Sequence, residues 1–194
     1  MLRRKIITIG GMIGSGKSTV ARILAEKLGY QHFSGGDYMR MMAEEREVSF
    51  EELHRMAEED PTIDQEIDRR QQEFFAQHDH IVVDSRLGFY WVPEAFHVIL
   101  TLDPEVAAKR VFADMQNNPL RSTEKTVTIE DAKKAIEARA TSNQIRYQKL
   151  YGIENYCDTK HFDFIIDTEH INQEKVAQKI ITEYEKWYEA GHIA

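Results

Sequence analysis

Cysteine and long apolar runs are nearly absent from this chain of 194 residues. Its single cysteine, Cys157, can form neither an intramolecular disulfide nor a cysteine-rich zinc site, so we expect a free structural thiol in a protein of a reducing compartment. No apolar stretch reaches the roughly 18 residues that a membrane-spanning helix needs. These absences predict a cytoplasmic protein that does not enter a membrane.

An excess of positive charge is also missing. The chain has 25 Lys and Arg against 33 Asp and Glu, a formal net charge of −8, and no run of five or more basic residues. This balance argues against nucleic acid or an anionic membrane surface as the main partner. The eight histidines show no HExxH or comparable spacing, so we expect them to be structural or exposed rather than metal ligands.

What the chain does contain is an alternation of short apolar runs and longer helical patterns. The runs of strand length are Ile6–Ile9, Tyr30–Phe33, Ile81–Val83, Val98–Leu102 and Phe162–Ile166. Strands that alternate with helices favour a parallel sheet with crossover helices. The sequence therefore predicts one α/β domain over residues 1–194, with a five-stranded parallel sheet and helices on both faces.

Two of the segments between strands are too long for a simple crossover helix. Residues 35–80 look helical throughout, which predicts a helical subdomain, and its acidic stretch up to Asp68 is typical of solvated helix faces. Residues 117–151 combine a polar loop with a long helix that Thr128 is expected to cap. We therefore expect two helical excursions from the sheet.

A glycine-rich motif follows the first strand directly. It matches GxxxxGK[ST], and we assign nucleotide binding to Gly11, Gly14, Ser15, Gly16, Lys17, Ser18 and Thr19. Backbone N–H groups of such a loop, with a helix N-terminus behind them, can hold phosphate oxygens. Lys17 would reach the β- and γ-phosphates and Ser18 would ligate Mg²⁺. A glycine-rich turn that binds nothing is the alternative, and the strand before and the helix after the motif argue against it.

An acid and an arginine leave the third strand together. Ligands gather at the carboxyl ends of strands in an open parallel sheet, which places Asp84 beside the glycine-rich loop. Asp84 is predicted to hold Mg²⁺ directly or through water, and its alternative role is that of a simple cap. Arg86 is suited to clamp a phosphate with two parallel hydrogen bonds.

Further arginines occur in each of the two helical excursions. Asp37 is expected to cap a helix that places Arg40 on the same side, and the alternative is a plain cap beside a solvated arginine. Arg139, Asn143 and Arg146 share one helix face. A solvated basic stripe and a lid that closes cations over transferring phosphates are both consistent with that spacing.

Taken together, these segments resemble the P-loop nucleoside monophosphate kinases, most closely the archaeal-type cytidylate kinases and cytidylate-kinase-like proteins. The segments that carry the resemblance are GGMIGSGKST, SGGDYMR, VVDSRLG, ARATSNQIRYQKLYGI and FDFIIDT. The resemblance implies a P-loop NTPase fold in which residues 35–80 bind the monophosphate and residues 117–151 form the lid. It also implies ATP and Mg²⁺ as cofactors and a nucleoside monophosphate, CMP or dCMP, as acceptor.

The combined interpretation assigns a role to each candidate residue. Lys17, Arg86, Arg139 and Arg146 are the predicted catalytic cations, Asp37, Arg40 and Arg86 bind the acceptor, and Ser18 and Asp84 hold the metal. Two other functions stay open. One is a small-metabolite kinase of shikimate or gluconate type, in which Asp37 would act as the base. The other is a nucleotide-binding switch without turnover, against which the lid-like arginines argue.

The aromatic segment Phe89-Tyr90-Trp91 has two interpretations. It is apolar enough to belong to the core, and it could equally wall a pocket for a nucleobase by stacking.

Overall fold

A five-stranded parallel sheet forms the centre of the structure, a computed structural model that describes residues 3–117 and 128–191. The strands are β1 (Ile6–Gly11), β2 (Gln31–Ser34), β3 (Ile81–Asp84), β4 (Phe96–Thr101) and β5 (Phe164–Asp167). Their order in the sheet is β2-β3-β1-β4-β5, and every neighbouring pair is parallel. The predicted fold class and number of strands are confirmed.

Helices connect the strands and cover both faces of the sheet. They are α1 (Lys17–Leu28), α2 (Gly35–Glu45), α3 (Phe50–Glu59), α4 (Pro61–Gln77), α5 (Gly88–Trp91), α6 (Pro104–Asn117), α7 (Ile129–Tyr151) and α8 (Gln173–Ala190). Among the described residues, no helix is both long and apolar enough to cross a membrane.

The central strand β1 is buried along its whole length, as expected for a parallel strand that is covered on both faces. On one face, Ile7 and Ile9 pack with Leu24 of α1 and Ile180 of α8. On the other face, Ile6 belongs to a second apolar cluster, with Phe75 and Val83 among its members. Each such side chain contributes about 1.5–3 kcal/mol when it leaves water, so this core fixes the strand ends that carry the site.

Between β2 and β3 the chain forms α2, α3 and α4, which share an apolar cluster that includes Met42, Leu53 and Ile63. The predicted cap of α2 is wrong. Ser34, the last residue of β2, is the N-cap, and its hydroxyl accepts a hydrogen bond of 3.2 Å from the amide of Asp37. Because Gly35 and Gly36 already belong to the helix, Asp37 lies inside the first turn and its carboxylate is available for another partner.

The described part of the second excursion is α7, which packs against α6 through Ala108, Val111 and Ile136. Thr128 caps α7 in a reciprocal capping box with Asp131, as the sequence predicts. The polar loop of the predicted lid region lies outside the described residues over positions 118–127.

Candidate active site

A cavity of about 560 Å³ lies at the carboxyl ends of β1, β2 and β3, where open α/β sheets bind their ligands. We call it the cleft. Its walls bring together residues that are far apart in the sequence. The predicted site residues that line it are Gly14, Gly16, Lys17, Ser18, Thr19, Asp37, Arg40, Asp84, Arg86, Arg139 and Arg146.

The glycine-rich loop joins β1 to α1 and presents the start of that helix to the cleft. Gly16 is the N-cap with a φ of 88°, a left-handed conformation that favours glycine, and no side chain in the described residues caps the helix. Free N–H groups at a helix N-terminus attract anions. Gly11 and Ser15 are buried and do not line the cleft that the described residues form; a Cβ atom on Gly11 would meet the Leu100 carbonyl oxygen at 2.3 Å.

Lys17 lies across this loop, and its Nζ donates a hydrogen bond of 2.8 Å to the Met12 carbonyl. Burial lowers the pKa of Lys17 to about 8, while the nearby Asp84 raises it and Arg86 lowers it further. A cation that is desolvated beside other cations is stabilised by any anion that enters the cleft. The position of Lys17 therefore suits the phosphates of a nucleotide.

Two side chains that could bind a metal ion through oxygen, Ser18 and Asp84, lie close together near Lys17. Asp84 is the last residue of β3 and is only 7% exposed, and it accepts a hydrogen bond from the Ser18 hydroxyl. Hard oxygen donors are what Mg²⁺ prefers, and this ion usually takes only one or two protein ligands and completes its shell with water and phosphate. The pair Ser18 and Asp84 fits that donor set.

Three arginines from different parts of the chain also line the cleft. The carboxylate of Asp37 accepts a hydrogen bond of 2.9 Å from Arg40. The guanidinium groups of Arg40 and Arg139 both lie over the Phe50 ring, at 5.0 and 4.7 Å from its centroid. Arg86 follows β3, and its buried Nε has no hydrogen-bond partner among the described residues. This concentration of guanidinium groups is suited to a phosphate dianion.

The side chain of Arg146 is buried and paired with other side chains. Its Nε lies 3.3 Å from Asp64 in an ion pair whose two side chains are 6% and 7% exposed. It also donates a hydrogen bond of 2.8 Å to Asn143, which is fully buried. The interpretation of this helix face as a solvated basic stripe is therefore wrong for these two residues.

Several polar residues of the cleft were missed by the sequence analysis. Asp64, Asp68 and Gln71 lie on one face of α4, line the cleft and are at most 9% exposed. The expectation of a solvated acidic face is wrong for Asp64 and Asp68, because both pair with side chains of α7, whereas the acids from 44 to 60 are mostly exposed. The spacing of 64, 68 and 71, which repeats every three or four residues, is the signal that marks them as neighbours.

Burial shifts the pKa of two residues that line the cleft, His54 and Asp68. The pKa of His54 falls to about 2 because of burial, with Arg139, Arg86 and Arg146 as the strongest neighbouring charges, so this histidine stays neutral. Burial also raises the pKa of Asp68 to about 6.

The aromatic segment at 89–91 forms the short helix α5 outside the cleft. Phe89 stacks on His161 with the ring centroids 4.4 Å apart, and Trp91 packs edge to face on Tyr151 at 5.2 Å. These contacts support the interpretation of the segment as packing, and the segment does not wall the cleft that the described residues form.

Comparisons with known proteins add an independent finding. A model of the cytidylate kinase-like family matches residues 6–170. A cytidylate kinase of Methanothermobacter thermautotrophicus is 37% identical over 169 residues, which are 87% of this chain and 98% of that protein. A cytidylate kinase of Halobacterium salinarum is 37% identical over 165 residues, 84% of this chain and 80% of that protein.

A solved structure is similar in its fold. The shikimate kinase of Bacteroides thetaiotaomicron superposes with a TM-score of 0.62 at 15% identity, over 93% of this chain and 98% of that one. At this identity the likeness concerns the fold and not the acceptor.

Proposed function

Since the chain belongs to the cytidylate kinase-like family and is a nucleoside monophosphate kinase, we propose that it transfers the γ-phosphoryl group of ATP to CMP or dCMP. One observation carries this proposal. A single cleft joins a phosphate-binding loop and Lys17 to a second group of cations that contains Arg40, Arg86 and Arg139. Two anionic reactants can therefore lie side by side in it.

At the donor end, the N-terminus of α1 and Lys17 hold the β- and γ-phosphates. Ser18 and Asp84 are the residues that would hold Mg²⁺, which, when bound, neutralises charge on the phosphate oxygens. The transition state spreads charge over the equatorial oxygens, so fixed cations contribute most of the catalysis. Arg86 and Arg139 are placed to stabilise that charge.

At the acceptor end, Arg40 and Arg86 bind the monophosphate. A phosphate acceptor is already ionised and needs little help from a base, whereas an alcohol acceptor calls for a nearby carboxylate. Asp37 is ion-paired with Arg40, so this carboxylate positions a cation. The concentration of arginines in the cleft favours a phosphate acceptor over the alcohol of a shikimate- or gluconate-type substrate.

Replacing the acceptor arginines tests this division of the cleft. We expect Arg40→Ala and Arg86→Ala to raise the KM for CMP by at least about tenfold, since each removes a charged hydrogen bond worth roughly 1.5–3 kcal/mol, with a much smaller change in the KM for ATP. Steady-state kinetics with each substrate varied in turn measures both. Arg55→Ala, which alters an exposed arginine of α3 that pairs with Glu52, is the matched control. A loss confined to ATP binding would contradict the placement.

The pKa of Lys17 predicts a pH dependence. Because burial lowers it to about 8, Lys17 is charged below that pH and loses its proton as the pH rises through it. We expect kcat/KM for ATP to fall across this range, since it reports groups of the free enzyme. In kcat the fall should lie at higher pH, because bound phosphates raise the pKa again. Lys17→Arg stays charged throughout this pH range, so its residual activity should not fall as the pH rises through about 8. A fall identical to that of the wild type would show that another group titrates.

An acceptor panel tests the proposed function itself. The protein is incubated with ATP and Mg²⁺ and, in turn, with CMP, dCMP, UMP, AMP, shikimate and gluconate, and ADP formation is measured. We expect the highest kcat/KM for CMP or dCMP. A higher value for an alcohol acceptor would refute the proposal, and ADP formation that no acceptor stimulates would favour a nucleotide-binding switch.

A further inference from the structure

The inner face of α4 carries a set of polar side chains that phosphate binding does not use. Asp64, Asp68 and Gln71 all line the cleft, and Gln71 is only 1% exposed. The Nε2 atom of Gln71 is buried and has no hydrogen-bond partner among the described residues. Leaving a buried amide unpaired costs about 1–3 kcal/mol, so such a group points to a ligand that completes it.

The two acids of this face have different partners. Asp64 is engaged by the guanidinium of Arg146 at 3.3 Å. Asp68 accepts a hydrogen bond from the Tyr151 hydroxyl on its Oδ2 atom. A carboxylate has about four lone-pair positions, so Asp68 can accept further hydrogen bonds from a ligand in the cleft. Asp68 and Gln71 lie three positions apart on one helix, which places an acceptor beside a donor.

We infer that Asp68 and Gln71 recognise the base of the acceptor nucleotide. This inference rests on the proposed function. The Asp68 carboxylate accepts a hydrogen bond from the exocyclic N4 amino group of cytosine, and the Gln71 amide donates one to the adjacent ring nitrogen N3. Carboxylates are natural acceptors for the N4 amino group of cytosine. Adenine shows a similar donor and acceptor pair, and cytosine is chosen here because CMP or dCMP is the acceptor of the proposed function.

The same pair discriminates against uracil. Uracil presents a carbonyl oxygen, O4, where cytosine presents its amino group, so a carboxylate there faces another acceptor. The Gln71 amide can rotate to offer either its oxygen or its nitrogen, and it therefore adapts to both bases. Asp68 is the residue that sets specificity, and Gln71 supports binding of either base.

Kinetics with two acceptors tests the inference. The ratio of kcat/KM for CMP to that for UMP is measured for the wild type, Asp68→Asn and Gln71→Met. An asparagine amide can donate to O4, so we expect the ratio to fall at least about tenfold in Asp68→Asn. Gln71→Met should raise the KM for CMP by about tenfold and change the ratio less. A ratio within twofold of the wild type in folded Asp68→Asn would overturn the assignment.

Controls separate base recognition from a structural role. Glu73→Gln and Gln72→Met make the same chemical changes on the exposed side of α4 and should leave the ratio unchanged. Tyr151→Phe removes the hydroxyl that bonds Asp68 but keeps the carboxylate; a fall in the ratio as large as that in Asp68→Asn would overturn the assignment. Thermal unfolding shows whether each variant folds. If Asp68→Asn does not fold, the KM of Gln71→Met for CMP tests the inference instead. A KM equal to that of the wild type would then refute it.

Failure of the proposed function has a different signature. It would appear in the wild type, as an absence of CMP-dependent turnover, whereas failure of base recognition appears only in the variants. Calorimetric titration with CMP and with UMP in the absence of ATP gives a second measurement of the preference that does not depend on turnover. We expect tighter binding of CMP by the wild type and similar binding of both by Asp68→Asn. Equal binding of CMP and UMP by the wild type would refute the assignment.

Discussion

Lys17→Ala is expected to lower kcat by at least about 10²–10³-fold while the protein remains folded. Lys17 supplies the charge closest to the start of α1, and removing one preorganised electrostatic donor from an active site typically has this cost. Within residues 3–117 and 128–191, its side chain makes one hydrogen bond, to the Met12 carbonyl, and it is not a member of an apolar cluster. We therefore expect a change in the free energy of unfolding of less than about 1 kcal/mol.

A second lysine of the same helix provides the control. Lys27 lies in the last turn of α1, is exposed and pairs with Glu174 at 3.1 Å. Lys27→Ala removes the same charge from the same helix outside the cleft, so kcat should stay within about twofold of the wild type. Single-turnover phosphoryl transfer measured on both variants separates loss of chemistry from slow product release. Turnover near that of the wild type in folded Lys17→Ala would contradict the role of the loop.

Arg146→Ala is expected to destabilise the protein by about 3–5 kcal/mol, a large fraction of the stability of a typical domain. The change leaves Asp64 as an unpaired carboxylate in a buried site, and it also removes the donor to Asn143. Urea unfolding measures the loss. The double variant Asp64→Leu/Arg146→Met, which removes both charges, should recover most of the stability.

Arg139→Ala is the variant to compare with Arg146→Ala. Arg139 lies on the same helix face as Arg146 and lines the cleft, but it is only half-buried. Its guanidinium lies over the Phe50 ring, an interaction worth about 0.5–1 kcal/mol. We expect Arg139→Ala to lower kcat and kcat/KM together by about 10²-fold, as the loss of a transition-state contact does. Unchanged kcat in Arg139→Ala, or a loss below 1 kcal/mol in Arg146→Ala, would refute these two roles.

Local motifs account for the parts of the site that the sequence predicts well. The phosphate loop is continuous in the chain, and its strand and helix follow from simple apolar patterns. The position of Arg86 follows from the rule that ligands gather at strand ends. The cap at Thr128 depends on a contact with Asp131, which is only three positions further along the chain. Each of these features is determined by residues that are neighbours in the sequence.

The errors have two sources, which are competition between neighbouring caps and pairing between residues that are distant in the sequence. At the start of α2, Ser34 and Asp37 are both good caps, and the earlier one prevails because the two glycines between them enter the helix. Asp64 and Asp68 look solvated because acids are rarely buried unless they are paired. Their partners, Arg146 and Tyr151, lie more than eighty residues further along the chain, and no local pattern reveals that pairing.

We propose that the protein transfers a phosphoryl group from ATP to the phosphate of CMP. The most direct measurement is ³¹P NMR of the protein with ATP, Mg²⁺ and CMP, which identifies every phosphorus-containing product. We expect resonances of CDP and ADP in equal amounts, with no inorganic phosphate. ADP with inorganic phosphate and no CDP would contradict it, because the cleft would then direct the phosphoryl group to water.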